Sequence, residues 1–283
     1  MQIINTLQQV RELFPDGCFD WEIWRHYAAK IWPELPALCE EDASGYDFER
    51  EVLPVIEAAL SNQPALDELA ASFEAAVAAL VKNILSLYDE EPYVTIVLYL
   101  GLCNAAGWAM RQGEHPKGGQ AILLGLEKII ELGWQGEKDM KGLIFHELGH
   151  LWHESAGRRD LPEASLRERA VTQLYDEGVA MRCEQLLCGD EDFFHQDKHG
   201  WLAWCRAHAD EMRMDYLKRM DSGETTQCYF GDWARWQGQP DVGYYLGCMF
   251  AAWLEQRRSL AAVARMTFEE IDAELHDFLG QPA

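Results

Sequence analysis

Apolar residues recur at helical spacing along most of this chain, and they cluster into strand-like runs in only one region. The spacing predicts helices over residues 2–13, 20–31 and 47–60, with Pro15, Pro33, Pro36 and Pro64 as breaks between them. Residues 65–87, ALDELAASFEAAVAALVKNILSL, read as one long alanine-rich helix without an internal breaker. The texture then changes. YVTIVLYL, residues 93–100, is β-branched and aromatic and lies between Pro92 and Gly101, which predicts a buried strand. A loop carrying Gly107, Gly113, Pro116, Gly118 and Gly119 follows, and AILLGLE, residues 121–127, reads as a second strand. Helical spacing returns over about 138–155, 162–187, 199–219, 242–258 and 267–279. Pro162 suits a first helical turn, and Asp160 is positioned to cap that helix. The expected class is α+β, mostly α. A helical N-terminal subdomain, 1–90, would precede a domain over 91–283 that holds a small sheet.

Composition narrows the class. The chain has 283 residues, 48% of them hydrophobic, enough for a large core. No run of eighteen apolar residues occurs, so no membrane partner is expected. The first residues show no basic leader, apolar h-region or cleavage site, so no secretory signal is expected. The eight cysteines form no CxxC pair and fall in apolar helical stretches, which suits reduced, buried thiols and a cytoplasmic location. A formal charge of −24 argues against a nucleic-acid partner, whose phosphates require a basic face, so none is expected. Nothing in the pattern sets an oligomeric state.

One segment carries chemistry. Residues 146–150 read HELGH within KGLIFHELGHLWHESAG. Histidines four apart on a helix share a face and can reach one ion, and Glu147 stands beside them as a candidate general base for a metal-activated water. Zinc takes nitrogen and oxygen donors and keeps a position open in catalytic sites. A third donor is offered by Glu177 in YDEGVAMRCE, on the next predicted helix. It completes a His₂Glu set if the two helices form an antiparallel hairpin turning at SAGRRD. Gly178 and Ala180 would let those helices approach closely, and Asp176 is a candidate to orient a ligand histidine. His153 lies on the same stripe as His146, but one straight helix cannot easily wrap three donors around one ion, so it is expected either to support a ligand from behind or to pack. The HExxHxxGxxH pattern is not met, since His153 and Ala156 stand where its glycine and last histidine would be.

HELGH followed by EGVA resembles the gluzincin, or thermolysin-like, clan of zinc peptidases. With the later GYYLG, residues 243–247, and RSLAAVARMTFEEI, residues 258–271, the chain is similar to a bacterial family of predicted zinc-dependent proteases. The resemblance covers roughly residues 90–280. It implies a zincin-like fold, a bound Zn²⁺ held by His146, His150 and Glu177, and a peptide or protein substrate paired by β-addition to AILLGLE as the edge strand. The GxMEN loop of the clan's aminopeptidases is absent, which favours endopeptidase action. Tyr244 and Tyr245 are the leading candidates to stabilise the oxyanion, with Tyr175, His199 and His208 behind them. The competing reading is a zinc-binding but non-proteolytic scaffold that recognises partners through WLAWCRAH and GDWARWQG.

Overall fold

A computed structural model describes residues 1–110, 119–231 and 233–281. Most of these are helical, around one small mixed sheet of four strands, so the expected α+β class with mainly α content holds. Contacts divide the chain into two compact units, Met1–Glu147 and Leu148–Ala283. The division falls inside a single unbroken helix, Glu137–Ser155.

The first unit holds the sheet: β1 (Gln2–Asn5), β2 (Val94–Tyr99), β3 (Gly107–Met110) and β4 (Gln120–Gly125), in the order β1-β2-β4-β3. β1 and β4 both run parallel to β2, with Ile3 opposite Ile96 and Ile122 opposite the same residue, while β3 is antiparallel to β4. Its main helices are α1 (Trp21–Ile31), α2 (Leu35–Ala43), α3 (Leu53–Ser61), α4 (Gln63–Asn83) and α5 (Leu126–Glu131), with β2, β3 and β4 between α4 and α5. α1 starts where the Asp20 carboxylate accepts the N–H groups of Glu22 and Ile23, both at 2.9 Å. It is tied to the sheet by Trp24, whose indole N–H donates to the Leu100 carbonyl at 3.2 Å. Tyr27 adds a second tie, as its hydroxyl accepts the Leu100 N–H at 2.8 Å. The α4 segment, Gln63–Ser86, is long and apolar enough to cross a membrane by length and composition. Its buried positions, Leu66, Leu69, Phe73, Ala76 and Leu80, form one stripe at helical spacing.

Three expectations for this unit are corrected. Residues 2–5 are a strand and not the start of a helix: the β-branched pair Ile3–Ile4 is paired to β2, a partner some ninety residues away that local spacing does not see. AILLGLE is not the edge strand. β4 is flanked on both sides, buried along nearly its whole length as an inner strand should be, and ends at Gly125. The edges are β1 and β3, and β3 lies in the segment read as loop. Gly113, Pro116 and Gly118 of that reading lie outside the described residues.

α6 (Glu137–Ser155) leads into the second unit, which contains α7 (Leu166–Cys188), α8 (Trp201–Ala207), α9 (Ala209–Ser222), α10 (Val242–Glu255) and α11 (Phe268–Gly280). α7 opens at Ser165 and not near Pro162. Ser165 and Glu168 form a reciprocal capping box, which satisfies the first amides better than Asp160 or Pro162 would. The Pro162 carbonyl instead accepts the Thr172 hydroxyl at 3.1 Å. α7 stops at Gly189, in a left-handed conformation with φ 68°. α10 crosses α7 at a pair of glycines, Gly178 and Gly247, whose backbones are in contact. No disulfide joins any of the eight cysteines. Burial pushes the thiols of Cys39, Cys205 and Cys248 up to about 12, which keeps them protonated and inert at neutral pH.

Candidate metal centre

α6 presents HELGH as one turn of regular helix. Leu143, Ile144, Leu148 and Leu151 are buried, and His146 and Glu147 are buried with them. Past this turn α6 lies against α7 in antiparallel fashion. Gly149 sits so close to α7 that a β-carbon on it would be 2.9 Å from both the Ala180 carbonyl and the Cys183 β-carbon. Further along α6, His153 meets Asp176 further back on α7, with Nδ1 3.5 Å from Oδ1. This is the hairpin that the third ligand requires.

His146, His150 and Glu177 each offer one donor atom, and all three atoms lie within 4.8 Å of one another. His150 Nε2 lies 3.4 Å from Glu177 Oε2. Bonds of 2.0–2.2 Å in a tetrahedron put neighbouring donors about 3.3–3.6 Å apart. The donor chemistry, two imidazoles and a carboxylate, and this spacing therefore fit a divalent transition ion with one position left for solvent or substrate. Glu147 is next in the chain to His146. Its carboxylate rests under the edge strand, where a β-carbon on Gly107 would fall 2.5 Å from Oε1 and 2.8 Å from Cγ. Only glycine leaves that space.

Most of the other candidates are engaged in contacts of their own. Asp176 does not orient a ligand histidine. It takes a two-pronged pair from Arg158, with Nε at 2.8 Å and the terminal nitrogen at 2.6 Å, and its remaining reach goes to His153. His153 is buried with its ring edge-on to Tyr175, the packing one of the two roles read for it. Tyr175 is spent structurally, because its hydroxyl donates to the Val263 carbonyl at 2.5 Å and burial pushes its pKa far up. His208 is stacked on Trp204 with centroids 4.0 Å apart, and His199 holds a left-handed turn at φ 53°. Tyr245 is buried against Phe194, with the Cys205 and Cys248 thiols near its phenol, and burial raises that phenol's pKa. Tyr244 is half-buried, one turn before Gly247 on the stripe of α10 that meets Gly178, the neighbour of Glu177. The tryptophan-rich segments mostly pack inward: Trp201 and Trp236 are buried and only Trp233 is widely exposed, at 69%.

Two features escaped the sequence. Glu184 is fully buried on α7 and accepts from the His195 backbone N–H at 3.1 Å, with its other oxygen 3.0 Å from His195 Nδ1. Its only signal was that it stands seven residues after Glu177 and so shares its stripe. The second is Gly107, whose fit to Glu147 depends on a strand pairing that no local pattern announces. Compared with known protein families, with curated sequences and with solved structures, the chain matches none.

Proposed function

We propose that this chain is a zinc-dependent peptidase, of endopeptidase type, on a zincin-like scaffold. The observation that carries the reading is the convergence of His146, His150 and Glu177 within 4.8 Å, with Glu147 beside them on the same helical turn. A structural ion would be served by four protein donors and would need no carboxylate next to an open position. The antiparallel edge strand over the Glu147 carboxylate adds support, because an extended peptide can pair with such an edge through its backbone.

When bound, the ion polarises the scissile carbonyl and lowers the pKa of a coordinated water to about 7. The chain's own residues do the rest. His146 and His150 would hold the ion through ring nitrogens, and Glu177 would lend one carboxylate oxygen, which would lower the net charge of the centre. Glu147 accepts a proton from the attacking water at a carboxylate oxygen. It returns that proton to the amide nitrogen as the carbon–nitrogen bond breaks, so the products are an amine and a carboxylic acid, which then loses its proton to solvent or to the amine. Tyr244 is the side chain we assign to donate a hydrogen bond to the oxygen that gains charge, since its stripe on α10 leads to the α7 segment bearing Glu177.

The test is a peptide-library digest with wild type and Glu147→Gln, each with and without chelator, beside elemental analysis of protein purified without added metal. Zinc near one equivalent in both proteins, and cleavage only by untreated wild type, is the expected result. Wild-type cleavage rates in Glu147→Gln would defeat the mechanism, and iron in place of zinc would redirect it to oxidative chemistry.

A further inference from the structure

The connection that leads into the edge strand over Glu147 is bonded by a buried carboxylate in the same compact unit. Glu127, in the first turn of α5, has no exposed surface. Its Oε2 accepts the Gly101 N–H at 3.2 Å and its Oε1 accepts the Cys103 N–H at 3.0 Å. Those two amides open the connection from β2 to β3. Within it, Asn104 takes the Leu102 N–H at 3.1 Å and donates to the Cys39 carbonyl at 3.0 Å and to Asp42 at 2.9 Å. Cys103 is kept at φ 60°, a conformation a cysteine holds only when its neighbours impose it. The far end is fixed as well. The Gly125 N–H donates to the Ala106 carbonyl at 3.1 Å, and the Ala105 carbonyl lies against Gly125 where no β-carbon fits. The next residue is Gly107, the one in contact with Glu147.

We propose that Glu127 is a positioning residue for Glu147: by fixing the connection 101–106 it sets the depth of Gly107, against which the base rests. The inference stands on the peptidase reading above. A carboxylate buried this deeply is costly unless its oxygens are satisfied, and a leucine would fill the space at no such cost. What a carboxylate supplies is two acceptors a fixed distance apart, for two amides that diverge. Glutamine has the same shape but one acceptor and one donor, so one of the two amides would face an N–H₂ group.

Glu127→Gln, Asn104→Ala and wild type are compared for bound zinc, for kcat and KM on one cleaved peptide, and for amide hydrogen exchange. Asn104→Ala loosens the same connection with Glu127 intact, and so serves if Glu127→Gln does not fold. Both variants should keep one equivalent of zinc and a KM within about twofold, with kcat reduced about tenfold and faster exchange at residues 101–110 but not at 143–147. An unchanged kcat in both variants overturns the proposal, as does a loss of zinc in step with activity, which would mark Glu127 as a general stabiliser. If wild type cleaves nothing in a chelator-sensitive way, the peptidase reading fails by itself. Exchange at 107–110 in the same samples still decides whether Glu127 holds the strand, and unchanged exchange there rejects it.

Discussion

Gly178 of α7 and Gly247 of α10 touch backbone to backbone: a β-carbon on Gly247 would sit 2.6 Å from the Leu174 carbonyl oxygen and 3.0 Å from the Gly178 nitrogen. Both atoms belong to the backbone of α7 and cannot turn aside as a side chain can. The GYYLG and EGVA segments, separate in the sequence, therefore meet as one packing feature, and it lies directly beside Glu177.

Gly247→Ala should push the helices apart. Overpacking at a backbone contact costs about 1–3 kcal/mol, and this site belongs at the upper end because neither partner can yield. Urea unfolding measures that cost. The same displacement moves Glu177, so zinc affinity should fall by about tenfold or more in competition with a chromophoric chelator. Full stability with full affinity would mean that the crossing is looser than its geometry states.

Glu177→Gln tests the ligand set without altering shape. The amide oxygen is a poorer donor than a carboxylate and carries no charge. We expect zinc affinity to fall by more than about 100-fold while the melting temperature of the metal-free protein changes little, since Glu177 is a partly exposed group on an otherwise well-buried helix. Dialysis against buffered zinc, followed by elemental analysis, gives the number. Retention of zinc at wild-type affinity would remove Glu177 from the centre.

The helix carrying HELGH was legible because everything that makes it is local: apolar residues at helical spacing and two histidines one turn apart. Glu177 was legible one step further, since SAGRRD reverses the chain and Ala180 packs closely on the HELGH helix at Gly149, while Gly178, read as easing the same hairpin, instead meets Gly247 of α10. What was missed depends on partners far along the chain. β1 and β3 have four residues each, too few to show a period, and each is a strand only because β2 or β4 lies beside it. Glu127 ends an apolar run and looks like the charge that terminates a strand. That it turns inward to receive two backbone amides follows from the loop, not from its neighbours in sequence.

Tyr244 and Tyr245 are adjacent in the chain but differ in surroundings, and this separates their roles. Tyr244→Phe should lower kcat by about 10²-fold with KM changed little, the scale of losing one oxyanion donor. Tyr245→Phe should leave kcat within a few-fold, because its ring lies in the core against Phe194. Steady-state kinetics on one peptide decides between them. Equal losses in the two variants would contradict the assignment.

Asp215 gives a prediction about acid. One oxygen of its carboxylate accepts from Arg219 Nε at 2.7 Å, the Tyr229 hydroxyl at 2.9 Å and the Trp236 indole N–H at 2.8 Å. Burial alone would raise its pKa, but the three donors outweigh it, and the group titrates below the usual aspartate range. A depressed folded pKa means a stabilisation that is present in full above the unfolded value of about 3.9 and is lost as pH falls through the folded value. Asp215→Asn keeps the shape and one acceptor but weakens charge-assisted bonds to neutral ones, a loss of about 1–2 kcal/mol at pH 7. Because wild type itself becomes neutral at this position in acid, the gap between the two proteins should narrow steadily below about pH 4. Urea unfolding of both proteins at pH 7, 4 and 3 reads this directly. A gap that stayed constant over that range would show that the Asp215 charge is not what holds Tyr229 and Trp236 in place.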